Sequence, residues 1–280
     1  ELKDISRIQK SIGTLGGGNH FIELDKDDIG NVYLVIHTGS RNLGLQVANI
    51  YQEKAIKHLT DGADDLELRI KEIIEKYKAT GRRSELKDVI KKIRKEQQHI
   101  APALPTELCY VEGETRKYYL HDMSICQQWA VLNRKLISIL LLKFFNGVEI
   151  KNEFESVHNY ISDDNMIRKG AISAAKGELC IIPLNMRDGS LICVGKGNTD
   201  WNCSAPHGAG RILSRNQAYE QITMKDFESS MNGIYSESIN EFTRDEAPMV
   251  YKPIEAIIDN IGETVTIETI IRPIFNFKAM

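Results

Sequence analysis

The chain has 280 residues and is 42% hydrophobic, which is enough for a buried core and excludes an intrinsically disordered protein. Lys and Arg total 36 against 39 Asp and Glu, so the net charge of −3 excludes a polycation but not a local basic pocket for nucleic acid. No apolar run is long enough to cross a membrane, and the first residues have no signal-peptide pattern. Five cysteines without CxxC spacing favour a reducing, cytoplasmic location.

The first part of the chain predicts short strands between helices. The predicted elements are a helix at 1–12, a glycine-dense turn at 13–20, strands at 21–24 and 32–36, and a helix at 43–59. A charged stretch at 61–98, broken at Gly81, predicts a helical hairpin on the surface. We interpret residues 61–107 as a helical insertion, whose charges indicate a solvated face more than an RNA-contacting arm.

The second part of the chain repeats this mixture without regular βαβ alternation. It predicts a long buried helix at 118–145, short strands and turns at 155–194, helices at 208–219 and 225–231, and a β-branched strand at 264–277. Strands mixed irregularly with helices favour an α+β fold over a doubly wound sheet.

His207 opens the sequence His-Gly-Ala-Gly-Arg, in which two glycines precede a predicted helix. Bare backbone N–H groups at a helix N-terminus bind phosphate, and a helix would place Arg211 and Arg215 on the same face as His207. The pattern therefore predicts a phosphate site with an imidazole nucleophile. The alternative, equally weighted, is a glycine-rich turn with a capping histidine and two surface arginines.

His20 and His37 each lie beside a turn of small residues at a strand end, which is typical of metal ligands on a rigid scaffold. Spacing alone does not combine them into one site. The sequence has no P-loop, no GxGxxG after a strand and no Lys-x-Asp-Gly motif, so a covalently attached nucleotide would need a nucleophile other than lysine. Histidine can serve, because its phosphoramidate is reactive enough to pass the group onward.

Five motifs along nearly the whole chain resemble those of the RtcB family of RNA ligases. They are GTLGGGNHFIE at 13–23, HTGSRNLG at 37–44, HN at 158–159, RKGA at 168–171, and HGAGRILSR at 207–215. The resemblance implies an RtcB-like α+β catalytic domain over 1–280, with mixed short-stranded sheets, surrounding helices and the helical hairpin insertion.

The resemblance implies an enzyme that uses GTP and two Mn(II) ions to join RNA 3′-phosphate or 2′,3′-cyclic phosphate ends to 5′-hydroxyl ends. In the family the nucleophilic histidine forms a covalent His–GMP intermediate, which implies this role for His207. The expected setting is RNA repair or tRNA splicing, with RNA and GTP as partners and no membrane.

The resemblance also assigns further residues one by one. It implies metal ligands at His20, His37 and His158, and phosphate or RNA contacts at Arg41, Arg211 and Arg215. It implies that the guanylate contacts are Asn19, His20, Phe21, Ile22, Glu23, His158, Asn159, Pro183, Leu184, Asn185, Met186, Ser190, His207, Gly208, Ala209, Gly210 and Lys278.

The chain departs from the family pattern in ways that keep alternatives open. The family's Asp-x-Gly-Cys-Gly segment, which supplies an aspartate and a bridging cysteine to the metals, does not occur in the 280 residues. Leu184 and Asn185 replace a Gly-Ser pair. Since Glu1 rather than Met stands first, we expect a longer native chain whose N-terminal segment carries these ligands. The alternatives are a catalytically defective homologue that binds RNA ends or GMP, and a di-metal phosphohydrolase.

Overall fold

The computed structural model describes residues 2–60, 63–80, 82–97, 103–145, 147–162 and 164–278. It divides into two compact units, Glu1–Ser11 with Ser40–Trp129 and Ile12–Gly39 with Ala130–Met280. Within these described ranges, no helix has both the length and the apolar character needed to cross a membrane. Mixed helices and short strands confirm the predicted α+β class.

The strands belong to the second unit and form two sheets. They are β1 (Phe21–Lys26), β2 (Val32–His37), β3 (His158–Ile161), β4 (Ile167–Ser173), β5 (Leu179–Asn185), β6 (Gly189–Gly195), β7 (Ser204–Pro206), β8 (Tyr235–Ser236) and β9 (Val265–Lys278). The larger sheet has the order β2-β1-β9-β6-β5, with β8 paired to β9 in parallel. The smaller sheet has the order β3-β4-β7 and is antiparallel.

The 14-residue strand β9 holds the larger sheet together, since its first half pairs with β6 and its second half with β1. The close approach of the β5–β6 turn to β9 requires a glycine. Gly189 has a φ of +76°, and a Cβ there would lie 2.0 Å from the carbonyl oxygen of Ile271. Glycine at this position therefore allows the β5–β6 hairpin to pair with β9.

The helices agree with most of the predicted segments. They are α1 (Ile5–Lys10), α2 (Arg41–His58), α3 (Ala63–Ala79), α4 (Leu86–Gln97), α5 (Gly113–Leu142), α6 (Arg215–Gln221), α7 (Met224–Ser230) and α8 (Ile254–Ile261). Helices α3 and α4 fall in the predicted hairpin, whereas its expected break at Gly81 lies outside the described residues. The interpretation of 61–107 as an insertion stays a prediction.

The predicted helix at 208–219 is wrong in its first half, because α6 begins only at Arg215. Ser214 caps α6: its side chain accepts a hydrogen bond from the backbone N–H of Gln217, and the Gln217 side chain accepts one from the backbone N–H of Ser214. Before this cap, Gly210 has a φ of +71° and Arg211 makes an isolated bridge with Tyr251. His207, Arg211 and Arg215 therefore do not share a helical face, and His207 does not begin a helix.

Each unit has its own apolar core. In the first unit, Ile8 of α1 packs with Leu43, Val47 and Tyr51 of α2. In the second unit one cluster lies between α8 and strands β5 and β6, and another surrounds Phe227 of α7. The long helix α5 is only partly buried, contrary to expectation: Ile137 is buried, but Leu132, Ile139 and Leu140 are exposed.

Within the second unit, the fully buried amide of Asn133 on α5 joins two turns. Its Oδ1 accepts from the backbone N–H groups of Gly13 at 2.6 Å and Thr14 at 3.2 Å. Its Nδ2 donates to the carbonyl oxygens of Thr14 at 3.1 Å and Gly39 at 3.3 Å. Thr38 completes the link, because its hydroxyl donates to the carbonyl oxygen of Leu15 at 2.7 Å. One amide thus fixes both the glycine-dense turn before β1 and the turn after β2.

Replacing Asn133 with Ala should lower the free energy of unfolding by about 2–4 kcal/mol, because buried backbone groups lose their partners. Urea denaturation followed by circular dichroism measures the change. The matched control is Asn260→Ala on α8, an exposed asparagine whose side chain donates to the carbonyl oxygen of Ala256 in the same helix. A loss at Asn133 no larger than at Asn260 would contradict the bridging role.

Strand β1 buries two carboxyl groups on one face, Glu23 and Asp25. Glu23 accepts a hydrogen bond from the amide of Asn276, directly opposite on β9. Asp25 is 0% exposed, and among the described residues neither of its carboxylate oxygens has a hydrogen-bond partner. Burial raises the pKa of Asp25 to about 7 and holds the pKa of Glu23 well above its ordinary value.

This burial predicts a pH-dependent stability. The pKa of Asp25 is about 7 in the folded chain against an ordinary 3.8, so the folded state binds the proton more tightly. Its contribution is fully favourable below about pH 4 and is lost as the pH rises towards about 7, by up to about 1.4 kcal/mol per pH unit.

Asp25→Asn should remove this loss, so the variant gains on the wild type as the pH rises through that window. Unfolding free energies measured from pH 4 to pH 8 test the effect. Asp28→Asn is the control, because Asp28 is exposed and pairs with the exposed Arg272. A constant difference between Asp25→Asn and the wild type at every pH would show that Asp25 does not titrate in this range.

Candidate active site

Three adjacent strands bring His37 and Lys278 to opposite sides of Phe21. In the antiparallel register, Phe21 at the start of β1 is paired with His37 at the end of β2 and with Lys278 at the end of β9. The Phe21 ring lies 5.1 Å from the His37 ring and 5.6 Å from the Lys278 ammonium. His20 precedes Phe21 in the sequence. The pairing therefore brings residues as far apart in sequence as His20 and Lys278 to the same end of these three strands.

The smaller sheet adds the other two histidines. His158 is the first residue of β3, and His207 follows β7, with its backbone N–H donating to the carbonyl oxygen of Gly170 at 3.4 Å. Ring centroids are 6.0 Å apart for His20 and His37, 5.5 Å for His37 and His158, and 4.8 Å for His158 and His207. We call these four residues the histidine cluster.

Three imidazoles of the histidine cluster have a lowered pKa and are therefore neutral near pH 7. Burial is the largest cause that lowers the pKa of His37, and together with the neighbouring His158, His20, Lys278 and His207 it lowers this pKa to about 3. Burial also lowers the pKa of His158 and of His207 below the ordinary value. A neutral imidazole has a lone pair, so these rings can bind a metal ion or attack an electrophile near pH 7.

The spacing of two nitrogens in the cluster suits a shared ion. The Nε2 atoms of His37 and His158 are 3.5 Å apart. Two nitrogens at ~2.1 Å from one tetrahedral ion lie about 3.4 Å apart. Among the residues that the structure describes, however, no group of three or more His, Cys, Asp or Glu could hold a metal ion. The described residues thus supply a pair of ligands and not a complete set, and the metal assignments stay predictions.

The residues expected to contact guanylate lie in several environments. Ala209 N–H donates to the carbonyl oxygen of Pro183 at 3.0 Å, which places the loop after His207 against β5. The Asn159 side chain accepts from the backbone N–H of Gly170 at 2.8 Å. Ser190 is fully buried, and its hydroxyl has no hydrogen-bond partner in the part of the chain that the structure describes. These contacts position the loop that carries His207 beside the start of β3.

Other residues that were expected to contact guanylate have structural roles. Leu184 and Met186 are buried in the two apolar clusters of the second unit. Asn185 holds the β5–β6 turn, since its Oδ1 accepts from the backbone N–H groups of Arg187 and Asp188. Asn19 and Gly208 flank the histidine cluster in sequence, Asn19 exposed and Gly208 half-buried.

Three cationic side chains donate hydrogen bonds to two buried acids, Asp245 and Glu246. Glu246 accepts from Lys278 at 2.8 Å and from Arg211 at 3.1 Å, and Asp245 accepts from Arg215 at 2.5 Å. We call these five residues the Glu246 network.

The two arginines of the Glu246 network differ in their exposure and in how many of their nitrogens are already hydrogen-bonded. Arg211 also donates to the carbonyl oxygens of Leu213 and Asp245, so all three of its nitrogens bond within the protein. The side chain of Arg215 stays 55% exposed. Arg41 begins α2 in the first unit.

Sequence reasoning missed Asp245, Glu246 and Asn133. The one signal for the acids is a pair of carboxylates directly before a short apolar stretch, in the sequence DEAPMV at 245–250. Asn133 has no signal of its own, because it lies within a helical pattern 119 and 120 residues from its partners Thr14 and Gly13.

Comparison with known proteins agrees with this architecture. A family model described as tRNA-splicing ligase RtcB matches residues 1–279. The RNA-splicing ligase RtcB of Escherichia coli K12 is 28% identical over 269 residues, covering 89% of this chain and 56% of that protein. The tRNA-splicing ligase RtcB of Aeropyrum pernix is 27% identical over 305 residues, covering 90% of this chain and 55% of that protein.

The chain thus spans a little more than half the length of these curated relatives. The family match covers almost every residue, including both sheets and all four members of the histidine cluster. The chain therefore belongs to the RtcB family.

Proposed function

We propose that this chain is the catalytic part of a GTP- and Mn(II)-dependent ligase that joins RNA 3′-phosphate or 2′,3′-cyclic phosphate ends to 5′-hydroxyl ends. Its setting is RNA repair or tRNA splicing, in keeping with the names of its relatives. The observation that carries the proposal is His207, whose pKa is lowered by burial and whose ring lies 4.8 Å from that of His158. A neutral imidazole on a glycine-flanked loop is suited to nucleophilic attack on phosphorus.

The proposed reaction has three transfers. A nitrogen of His207 attacks the α-phosphorus of GTP, forming a P–N bond as the bond to pyrophosphate breaks. An oxygen of the RNA 3′-phosphate then attacks the same phosphorus, which releases His207 and gives an RNA end activated by GMP. Finally the 5′-hydroxyl attacks the 3′-phosphorus, loses its proton to solvent and displaces GMP. A 2′,3′-cyclic phosphate is first opened by water to the 3′-phosphate.

The chain's own groups have distinct roles in this scheme. His37 and His158 would hold one Mn(II) through their Nε2 atoms, and His20 would bind the other. When bound, the ions supply positive charge that neutralises the phosphates and orients the attack. Glu23 and Lys278 would contact the guanine. An ammonium has three hydrogens, and Glu246 accepts one of them at 2.8 Å.

One observation favours a second candidate, a non-catalytic homologue that binds GMP or RNA ends. Among the described residues the histidine cluster offers a pair of convergent nitrogens, and no complete ligand group. Incubation with radiolabelled GTP and Mn(II) separates the two, because only the ligase traps label covalently. Release of 3′-phosphate without joining would instead identify a phosphohydrolase.

His207→Ala should abolish covalent labelling by α-labelled GTP while the chain stays folded, because His207 lies on a loop and not in an apolar core. Labelling is measured on denaturing gels after incubation with Mn(II), and folding by circular dichroism. His121→Ala is the control, since His121 is an exposed histidine of the first unit and should label like the wild type. Acid-labile label that persists on His207→Ala would refute the assignment.

Arg41→Ala and Arg215→Ala should each weaken RNA joining while labelling by GTP stays within about twofold of wild type. Loss of one charge-assisted bond to an RNA phosphate corresponds to roughly 1.5–3 kcal/mol, or about 10- to 100-fold in kcat/KM for joining. Arg272→Ala is the control, because Arg272 is an exposed arginine paired with Asp28. If both variants join RNA as well as Arg272→Ala does, neither arginine binds RNA.

A further inference from the structure

Glu246 lies where three segments of the second unit meet. Its Oε2 accepts from the Lys278 ammonium at 2.8 Å and from the Tyr251 hydroxyl at 2.6 Å. Its Oε1 accepts from Arg211 at 3.1 Å and lies 3.5 Å from Arg215. The Glu246 side chain is only 3% exposed, and that of Lys278 6%. A single buried carboxylate therefore contacts the last residue of β9 and the segment that follows His207.

The carboxylate is ionised, and its charge is needed where it lies. Burial alone would raise the pKa of Glu246, but the charge and hydrogen bond of Lys278 and the bonds from Tyr251 and Arg211 lower it below the ordinary value. The Glu246 network contains three cations and two carboxylates, so removal of one negative charge would leave three cations around Asp245 alone. Breaking a buried ion pair in this way is costly because the remaining charge is desolvated without a partner.

Lys278 depends on Glu246 for its position. Within the described part of the chain, Glu246 is the acid with which Lys278 forms a salt bridge. The backbone of Lys278 is fixed independently, since its N–H donates to the hydroxyl of Ser238 at 2.8 Å. Loss of the Glu246 charge would therefore release the ammonium while leaving the end of β9 in place.

The segment after His207 depends on the same acid. Arg211 lies four residues beyond His207, bridges Tyr251 through the backbone, and has its guanidinium 5.5 Å from the Tyr251 ring. The backbone N–H of Lys252 donates to the carbonyl oxygen of Gly210 at 3.0 Å. Glu246 binds both Arg211 and Tyr251, so it holds the two sides of this small bridge together.

We propose that Glu246 is a positioning residue that sets the Lys278 ammonium and the His207 loop in a common geometry, so that one buried carboxylate aligns the guanine end of the nucleotide with the nucleophile. The inference rests on the proposed function, in which Lys278 contacts guanine and His207 attacks the α-phosphorus. Glu246 does not touch the nucleotide in this scheme: its effect on guanine binding, measured by the KM for GTP, passes through Lys278, and its effect on the His207 loop passes through Arg211.

The first test measures the position of Lys278 directly and needs no nucleotide. Isotopically labelled acetic anhydride followed by mass spectrometry gives the reactivity of each lysine in the folded chain. Glu246→Gln should raise the acetylation rate of Lys278 about 10-fold and leave that of Lys252 unchanged. Glu241→Gln is the matched control, because Glu241 is exposed and pairs with Arg244 on the same short segment. Unchanged reactivity of Lys278 in Glu246→Gln would overturn the proposal.

The second test is a double-mutant cycle on labelling by GTP. Glu246→Gln should raise the KM for GTP about 10-fold, and Lys278→Met should raise it similarly. If Glu246 acts through Lys278, adding Glu246→Gln to Lys278→Met should raise KM by less than about twofold. Additive effects on KM would indicate a merely structural role and overturn the proposal.

Two further results would also decide whether Glu246 positions Lys278. If Glu246→Gln does not fold, Tyr251→Phe replaces it, since that change removes one bond to Glu246 and keeps every charge of the network. It should then raise Lys278 acetylation about threefold, and no rise would overturn the proposal. If the wild type takes no label from GTP, the proposed function fails, and the acetylation arm still decides whether Glu246 positions Lys278.

Discussion

The pairing of Phe21 with His37 on one side and Lys278 on the other is the constraint on which the site depends. Side chains alternate between faces of a strand, so a slip of one residue in either pairing would turn the partner away from Phe21. The register is secured by the length of β9, which pairs with β6 before it reaches β1. The order of strands in the sheet therefore brings residues more than 240 positions apart to one edge.

That edge would be loosely defined without the amide of Asn133 and the carboxylate of Glu246. Both are buried polar groups that form several hydrogen bonds, Asn133 mainly to backbone groups and Glu246 to side chains. Asn133 fixes the turns beside β1 and β2, and Glu246 holds the Lys278 ammonium at the end of β9. Buried polar groups with partners in fixed directions define a geometry more sharply than apolar packing does. The pairing of the strands sets where the residues of the site lie, and Asn133 and Glu246 set how the neighbouring turns and the Lys278 side chain are oriented.

Local signals in the sequence were enough to predict the strands β1, β2 and β9 and most helices, because their apolar periodicity is decided within ten or twenty residues. They failed at 208–219, where helical composition was outweighed by the Ser214 cap and by the bridge between Arg211 and Tyr251. A cap and a bridge partner 40 residues away leave no periodic signal. The motif resemblance named His20, His37, His158 and His207, and the structure brings their rings into one row.

The acids show why composition says little about such a site. A net charge of −3 gives no sign that Lys278, Arg211 and Arg215 gather around Asp245 and Glu246. Among these five groups the charge is +1, because three cations face two carboxylates. The two carboxylates lower the cost of burying Lys278 and of partly burying Arg211, so a chain of nearly neutral charge can hold cations in fixed positions inside the fold.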